Sequence, residues 1–361
     1  MNPIDRTPWN YTAARLAGAT LVLALCACGG GGGDASAPPT PTPPAPAPAS
    51  YSALITSVAS ASYAGEEASM LARTNNALRL GAGAGLLAQS AALDTAAGKH
   101  AAFLVNNQLV SNSAYLDALH EGVLGGHYED PALPGVVGFT GKTPQARATA
   151  GAYGGTVSEL ILFGAASGAE CMASFENSVY HLAQLLSPSV EVGLAFNAGN
   201  GGGSICVLEL GVSDNTAGQL PAEGSVVTYP YAGQSAVLPT FYNRAEAPSP
   251  VADLAVAGHP VLVSLYSLAT PSLQGSDIVI QTFALSMSDG QPVSARLLAK
   301  AGVTSSGPAL TIDANLVGAG TLFLVPAAPL EANITYKVSF AATVKGKTLN
   351  RNWSFVTGAA N

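Results

Sequence analysis

The chain has 361 residues and a formal net charge of −8, and it is 48% hydrophobic but only 10% charged. That length and apolar content suit two domains with cores of their own, and no run of Lys or Arg makes the basic patch that nucleic-acid binding requires. Charge is diluted by Ala and Gly throughout. The single continuously apolar segment, ARLAGATLVLALCAC, is shorter than the ~20 residues of a spanning helix.

That segment follows Arg6, carries Arg15 at its start and has the order of a secretory signal, which places the mature chain outside the cytoplasm. Its end, Leu25-Cys26-Ala27-Cys28-Gly29, resembles a bacterial lipoprotein signal. The resemblance implies a signal peptide over 1–27, lipidation of Cys28 and, with Gly29 next, an outer-membrane lipoprotein of the cell envelope. Residues 28–50, a Gly run followed by PPTPTPPAPAPAS, read as a flexible and then extended tether. Removal of the signal makes Cys171 and Cys206 the only cysteines of the folded part. An isolated pair in an oxidising compartment reads as one disulfide, against the alternative of two buried thiols.

From Gly65 the pattern is helical, and Leu93, Ala97, His100 and Leu104 share one helix face. Residues 120–158 are rich in Gly and Pro and read mostly as loop. They include GHYED at 126–130, an imidazole among acidic groups. A second helix is expected over about 170–186, ending before Pro188. VEVGLAFN and ICVLELGV then read as two strands around a Gly-rich turn. Helices followed by a hairpin predict an α+β sandwich over 51–215. After a break near 216–224, residues 225–361 read as all β, with hairpin turns at Asp289-Gly290 and Lys345-Gly346-Lys347. PLEANITYKVSF and WSFVTG resemble the last strands of bacterial Ig-like modules, so this half is expected to be a small β-sandwich. His259 reads as structural or exposed, and the Asn333 and Asn352 glycosylation matches are chance in a bacterial-type lipoprotein.

Several chemical signatures fail. Gly141-Lys142-Thr143 lacks the Gly of a phosphate-binding loop, since Val136 stands there, and GAGAG at 81–85 lacks dinucleotide spacing. No GxSxG, HExxH or CxxC is present.

Over residues 76–211 one order of fragments stands out: Asn76-x-x-Arg79, Gly85-Leu86, Leu93-x-x-Ala96-Ala97-x-x-His100-Ala101, His127-Tyr128-Glu129, GFTGKTPQAR, Tyr153, Glu159 and Ser178-x-x-His181. This order resembles the CAP superfamily, the SCP-like extracellular domain of cysteine-rich secretory proteins, antigen 5 and plant pathogenesis-related proteins. The resemblance implies an α-β-α sandwich with a shallow cavity lined by two His and two Glu. Carried over residue by residue, it nominates His127, His181 and Glu159. Glu129 is the candidate fourth member, with Glu176 as the alternative. Glu159 stands without the family's flanking Gly and Asn, Phe175 replaces the usual Trp, and Leu182 replaces an Arg.

Such His/Glu pairs could hold one divalent cation or act as acid and base. No nucleophile is evident, because Ser178 and Tyr180 leave a helix on other faces than His181. His100 is expected to pack structurally, and His120-Glu121 to form a solvated helix end. The expected function is therefore a lipid-anchored, non-enzymatic module that binds a lipid, peptide or cell-envelope ligand. The alternatives are a metal-assisted hydrolase and a purely structural or adhesive surface protein.

Overall fold

The structure is a computed structural model. It describes residues 50–63, 65–199, 203–243 and 246–359; the signal, Cys28 and most of the tether lie outside them. The described residues belong to one compact unit. No helix among them is long and apolar enough to cross a membrane. The protein mixes helices and strands in several sheets, as the α+β expectation requires.

In chain order, the first half comprises α1 (Glu66–Ala82), β1 (Ala88–Gln89), α2 (Ala91–Asn106), α3 (Ser113–Leu116), α4 (Pro144–Ala150), β2 (Gly155–Phe163), α5 (Gly168–Glu176), α6 (Tyr180–Leu185), β3 (Glu191–Asn197) and β4 (Ile205–Ser213). The strands form one sheet in the order β1-β3-β4-β2. Successive strand residues face opposite sides, and the side chains sort accordingly. Leu160, Cys206, Leu208 and Leu210 join α1, α5 and α6 on one face. Ile161, Ile205 and Val207 join Ala97, Ala101 and Leu104 of α2 on the other. Helices thus cover both faces of the sheet.

The expected loop of 120–158 contains α4. Thr143 caps it by accepting from the Ala146 N–H, and Pro144 sits at the first helical positions, where its missing N–H costs nothing. The expected helix over 170–186 is two helices, α5 and α6. Their junction is held by side chains that bond backbone: the Ser178 hydroxyl donates to the Phe175 carbonyl at 2.6 Å and accepts from the Leu182 N–H at 3.2 Å. Asn177 meanwhile donates across to the Thr240 carbonyl.

The second half pairs β5 (Val227–Tyr229), β6 (Val261–Ser264), β7 (Ile278–Met287), β8 (Ala295–Ala299), β9 (Leu310–Ile312), β10 (Thr321–Pro326), β11 (Thr335–Val344) and β12 (Lys347–Val356) into two sheets. One runs β9-β8-β10-β6-β5, and the other is built around β7-β11-β12. Their facing residues, such as Val263, Leu322 and Leu324 against Phe283, Phe340 and Phe355, make one core. The β11–β12 turn has Lys345 and Gly346 both at positive φ, as a tight two-residue hairpin demands. The outer face of the first of these sheets packs on the helical layer. Tyr229, Phe241, Leu262, Phe323 and Val325 share a cluster with Leu71, Phe175 and Leu182, so the halves expected at 51–215 and 225–361 are joined by a common core.

Cys171 of α5 and Cys206 of β4 form a disulfide, which ties the helix layer to the sheet. For a sequence separation of 35 residues, the chain-entropy account gives roughly 3–4 kcal/mol. Cys206→Ser is expected to lower stability by about that amount in denaturant titration, and reduction of the wild-type chain should match it. The approach of α2 to the sheet is set by Gly193, where a Cβ would come within 2.0 Å of the Leu93 backbone. Gly193→Ala should therefore cost about 1–3 kcal/mol through overpacking, read as a fall in thermal midpoint.

Candidate functional site

Gly125–His127 is a single 3-10 turn after the Val123–Leu124 strand. A Cβ on Gly125 would meet the Tyr115 carbonyl oxygen at 1.8 Å, so glycine lets this turn lie against α3. Its position aims His127 at β2, where His127 Nδ1 donates to Glu159 Oε1 at 2.9 Å. The His127 side chain keeps 28% of its surface exposed, while that of Glu159 is fully covered.

A carboxylate inside a sheet must be neutralised or compensated, and α4 supplies the compensation. Arg147, itself buried, donates from Nη2 to Glu159 Oε2 at 2.6 Å. Its Nη1 donates to the His127 carbonyl at 3.1 Å. Burial alone would raise the Glu159 pKa. The Arg147 charge, helped by His100 and by the His127 hydrogen bond, outweighs burial and holds the carboxyl well below its usual range.

Glu129 closes the second arm. One of its oxygens accepts from the Thr140 and Gly141 N–H groups at 2.6 and 3.2 Å, and the other faces His100 Nδ1 at 3.0 Å. The far nitrogen of His100 faces the Gly126 carbonyl at 3.0 Å. A carbonyl can only accept, so His100 Nε2 carries a hydrogen. One further proton lies between Nδ1 and Glu129, and both imidazole nitrogens are committed. Asn107 exchanges two hydrogen bonds with the Val137 backbone and pins the 129–141 loop to the end of α2.

Below this network lies Glu209 of β4, directly opposite Glu159 across the sheet. It is 0% exposed, and neither carboxyl oxygen has a hydrogen-bond partner among the described residues. Burial, and then the Glu159 charge beside it, push its carboxyl well above the usual range and favour its protonated, neutral form.

The expected set is therefore partly gathered. His127, Glu159 and Glu129 meet, together with His100 and Arg147. His181 is held elsewhere: its Nδ1 lies 3.4 Å from Glu246, and its ring packs on Phe175 with centroids 5.2 Å apart. Glu246 also accepts from the Val179 and Tyr180 N–H groups at 2.7 Å each, capping α6 from the second half of the chain. No hydrogen bond or ion pair joins His181 to His127, Glu159 or Glu129 among the described residues. Glu176 instead accepts from the Tyr229 hydroxyl at 2.8 Å, and burial pushes it up to about 7.

His100 is structural in position, as expected, but it is also a polar member of the network. Arg147 and Glu209 were missed by sequence reasoning. Each left a signal: a lone acid in ICVLELGV, and an Arg one turn after a Thr-Pro helix start. The residues do not fit a resident divalent cation. The Arg147 guanidinium lies between Glu159 and Glu129, 2.6 and 4.0 Å from their oxygens. Among the described residues no group of three or more His, Cys, Asp or Glu could hold a metal.

No family model matches this chain, and no curated protein matches it.

Glu209→Gln tests the upward push on this carboxyl. A raised folded pKa means that folding must keep Glu209 protonated, and this costs progressively more as pH rises above the unfolded value of about 4.3. The variant should therefore match the wild type in stability near pH 4. It should exceed it by on the order of 1–3 kcal/mol at pH 8, read from denaturant midpoints at each pH.

Proposed function

We propose that this protein is a lipid-anchored, extracytoplasmic module of the CAP type, and that it binds a ligand or partner at the bacterial cell envelope without performing chemistry on it. The motif order over 76–211 and helices on both faces of a sheet support that family reading. The lipoprotein-like segment ending at Cys28 supports the anchor, and the Pro-rich tether provides reach from the membrane. The C-terminal sandwich serves as an Ig-like presentation module.

One observation carries the binding reading. Of the His, Glu and Arg groups gathered at the site, His127 alone combines a fixed orientation with solvent exposure. Its Nδ1 is committed to Glu159, and its other ring nitrogen has no hydrogen-bond partner among the described residues, which leaves one oriented hydrogen-bonding group for a ligand. Glu159, Glu129 and His100 behind it are hydrogen-bonded to Arg147, to one another or to backbone, which makes a stiff pedestal rather than an acid, base and nucleophile set.

Calorimetric titration with soluble cell-wall fragments, short peptides and phospholipid micelles should find one saturable ligand, with affinity at least tenfold weaker in His127→Ala. Zinc titration followed by imidazole NMR should leave the His127 and His100 resonances unmoved. Stoichiometric zinc binding that shifts them, with hydrolysis of any of these compounds, would establish the hydrolase instead. Cys28→Ala should release the protein from the membrane fraction.

A further inference from the structure

The chain carries 22 acidic and 14 basic residues, yet one cavity reverses that balance. It lies where the helical layer meets the sandwich and has a volume of about 700 Å³; its lining includes Arg79 and Lys300 and, among the described residues, no Asp or Glu. Its apolar walls include Leu54, Leu220, Leu262 and Leu273. Ser158 of β2 lines it too, and successive strand residues alternate sides, so the cavity lies across the sheet from the network around Glu159.

Both cations are held by neutral acceptors. Arg79 is 0% exposed. Its Nε donates to the Gly85 carbonyl at 2.7 Å, Nη1 to those of Leu185 and Ser187 at 2.6 and 3.0 Å, and Nη2 to that of Ser189 at 3.3 Å. A guanidinium has five N–H donors, so one Nη2 hydrogen is left over. Burial without a counterion pulls Arg79 down to about 9, which leaves it charged at neutral pH. Lys300 Nζ donates to the Leu316 carbonyl at 2.6 Å and the Ala314 carbonyl at 3.4 Å, and an ammonium has a third hydrogen to give. No carboxylate pairs with either among the described residues.

Two uncompensated positive charges beside low-dielectric walls create a focused positive potential. The volume is that of a small-molecule site, and such sites combine mostly apolar lining with a few placed polar groups. A polyanion would leave the Leu-lined walls unused, and a neutral hydrocarbon would leave the charge unanswered.

We propose that this cavity binds an amphiphilic monocarboxylate, with the carboxylate drawn to Lys300 under the field of Arg79 and the hydrocarbon body along Leu220, Leu262 and Leu273. The site is separate from His127 and stands without the reading proposed for it.

Calorimetric titration of the full chain with sodium decanoate, below its micellar concentration, should show one saturable site. 1-Decanol and the Lys300→Gln variant should each bind at least tenfold more weakly, and His127→Ala should bind decanoate like the wild type. Ser264→Phe, which fills the cavity from the end of β6, should abolish binding while keeping the wild-type circular dichroism. If that variant does not fold, Lys300→Gln decides alone. Absence of saturable decanoate binding, equal affinity for decanol, or an unchanged Lys300→Gln would overturn the proposal.

Discussion

The helical half of this protein depends on one awkward fact, that two carboxylates sit opposite each other inside a sheet. Glu159 and Glu209 are directly paired across β2 and β4 and face the side covered by α2 and α4. Two ionised acids at cross-strand distance, roughly 5 Å between Cβ atoms, repel in a medium that cannot screen them. The arrangement survives because the two are made unlike. Arg147 beside Glu159 favours its charged form, and burial beside that charge pushes Glu209 toward its neutral form. Everything around the site follows from that division: α4 must deliver Arg147, the 125–127 turn must deliver His127, and the loop to Thr140 must close over Glu129.

The same logic explains why the site is rigid. A buried ion pair contributes little net stability by itself, but leaving one partner alone is strongly unfavourable. Each member of the network therefore enforces the position of the next. His100, with both nitrogens committed, fixes the turn carbonyl and the Glu129 carboxyl together. The imidazole that reaches solvent is the terminal piece of a chain of mutual constraints.

Much of this was legible from the residues alone, and the reasons for the exceptions are physical. Apolar patterning marked α1 and α2 because each buries one face, and the β3–β4 hairpin because helices cover both sides of its sheet and leave near-continuous apolar runs. The disulfide was legible from cysteine arithmetic. The short α4 was hidden because its stability comes from Thr143, Pro144 and the Arg147 pairing, none of which makes an apolar stripe. The break between α5 and α6 was hidden because Ser178, which bonds backbone on both sides of it, makes no change in the apolar pattern, and its distant partners Thr240 and Glu246 lie in the other half of the sequence. His127, Glu159 and Glu129 could be nominated through fragment order. The placement of His181 beside Glu246 could not, since single-sequence spacing says nothing about which distant acid reaches a helix end.

That capping contact bears on how the chain is built. A polypeptide emerges from the ribosome amino end first and its parts tend to fold in that order. The first helix layer and its sheet are complete in sequence by Ser213, but the amino end of α6 finds its carboxylate only once residue 246 has been made. Until then the His181 ring and three backbone N–H groups stand open, so the earlier half waits on the later one to be finished. Severing the chain in the 216–224 connector would free two pieces on paper, while leaving the helical piece permanently in that unfinished state.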